Sequence, residues 1–270
     1  MDTRIDTLRP NYEPARALDI LLSNDRNYFR AGAQALRGDG WTVYCVPGYQ
    51  HLAVGAIAEV DNPLQLNVLA LARHMQDLGG HFVRFYVPGD LTIPSFARFQ
   101  LRRTVERAMA APVERFKTSV SAAGITIRPV RIEDDAVKAG LLSQDEQRPD
   151  GKDAHAADYA GIERIKLAAS FMRGYLVYSQ DRAIASFNLS WENGLVRLKN
   201  VYVVPAMRGQ RLASVMMAYA HARAAATGAT MVGSFAVADG PGQRAYQAAG
   251  LTVVGAQTEY FADLKSPGLA

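Results

Sequence analysis

The 270-residue sequence predicts two α/β halves, divided at residues 1–124 and 125–270. From Ile125 onward, strand, helix and turn signals alternate at short, regular intervals. A shorter unit in the first half repeats part of that grammar. The composition, 49% hydrophobic and 21% charged, is that of an ordinary globular chain with material for a sizeable core.

In the second half, Ile125-Thr126-Ile127-Arg128 alternates at period two and stops at Pro129, and Glu133-Asp134-Asp135 leads a short helix to Leu142. Residues 143–156 are polar and read as a loop longer than most connections. Residues 157–172 place Ile162, Ile165, Ala169 and Met172 on one helical face. Strands follow over 175–179 and 183–190. Asn193-Gly194 then suits a hairpin turn with positive φ that launches a strand over 195–204. A helix over 209–227 is closed by Gly228, and a strand over 230–237, a helix over 241–249 and a strand over 251–257 complete the order βααβββαβαβ.

In the first half, residues 53–60 read as a strand closed by Asp61-Asn62-Pro63. Leu64, Val68, Leu71, Ala72, Met75 and Leu78 form a helical stripe, and Gly79-Gly80 precedes a strand over 82–87. This is the strand, Pro, helix, Gly, strand order of residues 201–237. Its Pro63-to-Gly80 stretch is 17 positions against 23 from Pro205 to Gly228, so the first half reads as a smaller, degenerate copy, with two unrelated strand–helix–strand units as the other reading. Residues 97–109 read as a further helix and 110–124 as the connection between halves.

The net charge of +4 is spread along the chain, which argues against a nucleic-acid binder. The opening Met1-Asp2-Thr3-Arg4-Ile5-Asp6 lacks an apolar signal core and no apolar run is long enough to span a bilayer, so a cytoplasmic protein without membrane association is expected. Its single cysteine, Cys45, leaves no internal disulfide and reads as a small buried hydrophobe. The five histidines show no metal-ligand spacing, and no metal is expected. Gly240-Pro241-Gly242-Gln243-Arg244-Ala245 fits a dinucleotide fingerprint, but the chain ends before the βα units a doubly wound sheet would need.

The segment richest in chemistry is Val203-Val204-Pro205-Ala206-Met207-Arg208-Gly209-Gln210-Arg211-Leu212-Ala213-Ser214. A strand passes through an Arg- and Gly-containing turn into a helix, whose first N–H groups lack intrahelical partners and sit at its positive end. Gly209 permits close backbone approach, while Arg208 and Arg211 add charge and donors for a phosphate or pyrophosphate; solvated arginines at a helix start are the other reading.

With Val203-Val204-Pro205 before it, this turn resembles the phosphate loop of the GNAT superfamily of acyl-CoA-dependent N-acetyltransferases. It departs at Arg211, where the family has Gly. Tyr246-Gln247-Ala248-Ala249-Gly250-Leu251 resembles the family's Tyr-x-x-x-Gly-Phe ending, although Asp239 and Gly242 stand where the family prefers Asn and Ala. The resemblance spans about half the chain, from Ile125 to near Phe261. It implies a mixed, mostly antiparallel central sheet flanked by helices, with the first half as a second GNAT-like unit in tandem. It also implies that Arg208, Gly209, Gln210, Arg211, Leu212, Ala213 and Ser214 hold acetyl-CoA, and that the backbone of Val201 and Val203 pairs with its pantetheine arm. By the same resemblance Tyr246 protonates the departing thiolate.

The general base is not written in a motif. Arg197-Leu198-Lys199-Asn200 lacks the carboxylate some relatives carry there, leaving Glu163, Glu192, Asp239 or a water chain, with Glu163 the first candidate. The expected reaction is direct acetyl transfer from acetyl-CoA to a primary amine of a small molecule by a monomer or homodimer. A non-catalytic CoA-thioester sensor and a protein or peptide N-acetyltransferase are the alternatives. Asp145, Glu146, Asp150 and Asp153 read first as a solvated loop, with attraction of a cationic acceptor as the other reading. Six residues fewer where the loop would lie imply that the first half does not bind CoA in the same way.

Overall fold

The computed structural model describes residues 12–93, 101–115, 124–142, 156–168 and 171–264. The first half supplies α1 (Pro14–Arg30), β1 (Gln34–Gly38), β2 (Trp41–Cys45), β3 (Ala56–Val60), α2 (Val68–Asp77), β4 (Phe82–Pro88) and β5 (Arg102–Pro112). The second supplies β6 (Ile125–Pro129), α3 (Asp135–Leu142), α4 (Ala156–Leu167), β7 (Met172–Ser179), β8 (Arg182–Glu192) and β9 (Leu195–Val203). It continues with α5 (Leu212–Ala226), β10 (Met231–Val237), α6 (Pro241–Ala248) and β11 (Thr252–Asp263). The expected βααβββαβαβ order is present. Cys45 is buried, and the polar 143–155 segment with its four acidic residues lies outside the described residues.

Among the described residues, eleven strands join one mixed, mostly antiparallel sheet in the order β1-β2-β3-β4-β11-β5-β10-β9-β8-β7-β6. Its centre is a reciprocal exchange. β10 does not pair with β11, the strand that follows it; β5 from the first half lies between them, antiparallel to both. Likewise β11 lies between β4 and β5, antiparallel to each. Each half thus completes the other's core. Met109 and Ala111 of β5 pack with Leu198 and Met216 of the second half, and Tyr260 of β11 stacks on Phe85 of the first at 5.2 Å.

This corrects the expected 97–109 helix, which is strand from Arg102 on. Ala108, Met109, Ala110 and Ala111 favour helix as isolated residues, but they are buried between two neighbouring strands, and burial outweighs helix propensities of a few tenths of a kcal/mol. The expected 110–124 connection is strand to Pro112. Met172 belongs to β7, because the preceding helix ends at Leu167. The last strand runs on to Asp263, since its end pairs with β4, far away in sequence.

α1, for which the sequence offered no expectation, covers the sheet where the halves meet. A Cβ on Gly233 of β10 or on Gly255 of β11 would stand 3.0 Å or less from Leu21 or Leu18, so these glycines let the helix lie directly on the strands. Ala17, Ile20 and Leu21 pack there against Ala108 and Ala110.

Candidate active site

β9 and β10 run parallel and are paired from Leu195↔Met231 to Leu198↔Ser234, then part. At the last pair Ser234 Oγ donates to Leu198 O at 2.8 Å. Beyond it, the β8–β9 register shifts between Ser186↔Tyr202 and Asn188↔Lys199, so β9 carries one extra residue at a bulge, with Asn200 at φ +51°. A bulge re-aims the backbone locally. Here it does so at Asn200 and Val201, beside the gap between the strands.

A cavity of about 230 Å³ occupies this gap. The second half lines it with Arg197–Val201, Ser234, Phe235 and Tyr246; α1, β4 and β5 add Asp25, Tyr28, Phe29, Arg84, Tyr86 and Glu106. Val201 and Tyr246 are therefore brought together. Tyr246 projects from α6 and is buried, which pushes its phenol above the usual value against a hydrogen bond with Ser234 and the charge of Arg197. It stays protonated at neutral pH and can donate.

The turn after β9 lies further along the same strand edge and does not line the cavity. Pro205–Met207 form one turn of 3-10 helix, Gly209 has φ +80° with open space where a side chain would stand, and Arg211 precedes α5 at φ +60°. Arg211 thus stands in the left-handed conformation that glycine adopts without strain, which costs a non-glycine residue about 1 kcal/mol. Its side chain does not cap α5. The N–H groups of Leu212 and Ala213, at the first helical positions, accordingly have no partner within the helix. Arg208 Nε donates to Val203 O at 3.1 Å, tying the turn to the strand end, and Gln210 reaches back to Ala206 O. Ser214 N donates to Arg211 O within the first turn. An open backbone turn, N–H groups without helical partners and two exposed arginines make a place for a phosphate or diphosphate, and the parted strand edge at Val201 and Val203 leaves backbone groups open to an extended ligand.

Glu163 does not line the cavity. It is buried on α4, where its Oε2 accepts from Lys138 Nζ at 2.7 Å, and its other oxygen accepts from Asn200 Nδ2 at 3.4 Å. It is half of a buried ion pair that steadies the bulge from behind. Glu192 accepts from Ser23, Asn24 and Asn27 and anchors α1, and Asp239 is exposed past the end of β10.

Sequence reasoning missed the cavity's own charges. Asp25 Oδ1 accepts from Arg197 Nη2 at 2.7 Å and from Lys199 Nζ, and its Oδ2 accepts from Gln257 Nε2 at 3.0 Å. Burial works to raise the Asp25 pKa, but Arg197 and Lys199 prevail and hold it below the usual carboxylate range. Lys199 is lowered to about 8 by burial and by Arg197, against the pull of Asp25. Arg84 Nε donates to Glu259 at 2.5 Å and its Nη2 to Tyr86 at 2.6 Å. Only the topology could have revealed this cluster, since its residues come from α1, β4, β9 and β11 and share no motif. Among the described residues no group of three or more His, Cys, Asp or Glu side chains is placed to hold a metal, and no helix is long and apolar enough to cross a membrane.

No protein-family model and no curated protein matches the chain. Solved structures do. A functionally unknown conserved protein from Staphylococcus epidermidis superposes with a TM-score of 0.66 at 11% identity, covering 86% of this chain and 95% of that one. A GCN5-related N-acetyltransferase from Kribbella flavida gives 0.59 at 12% identity, covering 91% and 95%. A tandem GNAT protein from the clavulanic acid biosynthesis pathway gives 0.53 at 12%, covering 84% and 79%. Similarity at this level speaks for architecture, and with the sheet described above it leads to one conclusion: the chain has the fold of the GCN5-related N-acetyltransferases.

Proposed function

We propose that the protein is an acetyl-CoA-dependent N-acetyltransferase acting on a primary amine of a small molecule. The observation that carries this reading is the parting of β9 and β10 beside a cavity lined by both Val201 and Tyr246, on a strand edge that leads into the turn 205–211. In this reading the turn and the first N–H groups of α5 hold the diphosphate, assisted by Arg208 and Arg211. The free edge of β9 aligns the pantetheine arm, and a main-chain N–H at the bulge polarises the thioester carbonyl. The amine attacks directly, and the Tyr246 phenol protonates the departing thiolate.

The size of the cavity, about 230 Å³, favours a small acceptor over a peptide segment. Tyr28, Phe29, Tyr86 and Phe235 line it together with Glu106 and with the Asp25–Arg197–Lys199 cluster and Arg84; the aromatic faces and the Glu106 carboxylate are the groups that attract an amine. The first half in this reading holds no CoA of its own and closes the acceptor side. The reading is tested by thiol release from acetyl-CoA across a panel of small primary amines, with product masses raised by one acetyl group. Tight CoA binding with no turnover on any amine would favour a CoA-thioester sensor.

A further inference from the structure

We propose that Glu106, delivered by the first half on the exchanged strand β5, is the general base that deprotonates the acceptor amine; this rests on the acetyltransferase reading above. Two carboxylates line the cavity, and they are differently committed. Asp25 is tied to Arg197, Lys199 and Gln257. Glu106 has no ion pair within 4.0 Å among the described residues, and its Oε2 accepts from Gln257 Nε2 at 2.7 Å. The same amide donates to Asp25, so Gln257 spans the two acids and fixes the Glu106 side chain without neutralising it. The sequence-derived candidates are elsewhere: Glu163 is paired with Lys138 and Glu192 is bound to α1.

The charges around Glu106 set its proton affinity. Burial and the negative charge of Asp25 on α1 raise it, Glu259 on β11 adds to this, and Gln257 on β11 and Lys199 on β9 oppose it. Arg84 and Tyr86 on β4 also feel its charge. The net result is a carboxylate more basic than an exposed one, as a general base requires. It lies in the same cavity as Tyr246, the proposed acid.

Glu106 takes one proton from the bound ammonium, leaving the nitrogen lone pair free. The lone pair forms the C–N bond at the thioester carbonyl while the C=O π electrons move to oxygen. Collapse breaks the C–S bond, the sulfur leaves with its electron pair, and the Tyr246 proton goes to it. The second proton lost by the nitrogen restores the tyrosine, and Glu106 releases its own to solvent. The products are amide, thiol and one proton.

The test compares wild type, Glu106→Gln and Glu106→Asp in acetyl-CoA turnover with methylamine, benzylamine and hydroxylamine from pH 6 to 9. Glu106→Gln preserves shape and is expected to lower kcat/KM about 10²-fold or more for methylamine and benzylamine, with unchanged CoA affinity. Its deficit shrinks for hydroxylamine toward the upper end of this range, where that amine is already unprotonated. Glu106→Asp recovers part of the activity and keeps the acid limb of the pH profile. Equal turnover and an unchanged profile in Glu106→Gln, or a deficit identical for all three amines, overturns the assignment while leaving the acetyltransferase reading intact. Wild type that acetylates no amine overturns both.

Discussion

The two halves each contain a parallel strand–helix–strand unit, and the two units treat the start of their helix differently. In the second, β9-α5-β10, the residue before the helix is Arg211, whose side chain makes no cap, so the helix N-terminus faces outward with arginines around it. In the first, β3-α2-β4, Asn67 accepts a hydrogen bond from Ala70 N at 3.1 Å, so the helix satisfies part of its own N-terminus. The parallel pairing of β3 and β4 is limited to Ala58↔Phe85, and a cavity of about 360 Å³ lies beside it, lined by Val60, Pro63 and Val87 with Glu59 and Asp61. A self-capped helix end offers a diphosphate fewer free donors than an open one flanked by arginines. The shared grammar thus builds two clefts whose helix ends differ in their capping.

The most severe way to break the comparison is to separate the halves. Residues 125–270 alone lack β5, so β10 and β11 lose the strand between them and Met109 and Ala111 leave the core. This fragment is expected to show no cooperative thermal transition by circular dichroism. A soluble fragment with a native-like melt would mean that the exchange is dispensable.

Asp25→Ala comes next. It leaves Arg197 and Lys199 without their buried counter-ion, at an expected cost of about 3–5 kcal/mol in chemical denaturation. The sign with pH follows from its lowered pKa. Its contribution is complete above the unfolded value of about 3.9 and is lost as pH falls toward the lower folded one. The stability gap between wild type and Asp25→Asn should therefore close below about pH 4, and a gap constant down to pH 2 would contradict the assignment. Tyr246→Phe is expected to lower acetyl transfer about 10²-fold without weakening CoA, since it removes only the proton for the leaving thiolate. Equal turnover would remove Tyr246 from the mechanism. The smallest effect is expected in the first cleft. Asn67→Ala should cost about 1 kcal/mol of stability and leave CoA affinity unchanged, which denaturation and calorimetry together would check.

How much of this could be read from the sequence follows from where the information lies. The elements of the second half were legible because Pro129, Asn193-Gly194, Pro205, Gly228 and Gly250 punctuate them locally. The turn 205–211 was legible because its chemistry is contiguous. The helix expected over 97–109 failed because an alanine-rich strand buried on both faces has no period of two to display. The exchange of β5 and β11 has no local signature at all, since pairing partners are fixed by long-range packing. The cavity shares that fate: Asp25, Arg84 and Glu106 meet Lys199 and Tyr246 only after the exchange.

The most direct measurement is calorimetric titration of CoA into the full chain and into Arg208→Ala/Arg211→Ala. One site per chain is expected, weakened about tenfold or more in the double variant by the loss of charge-assisted donors. Two equivalent sites, or an affinity unchanged by removing both arginines, would contradict the claim that the turn between β9 and α5 holds the diphosphate.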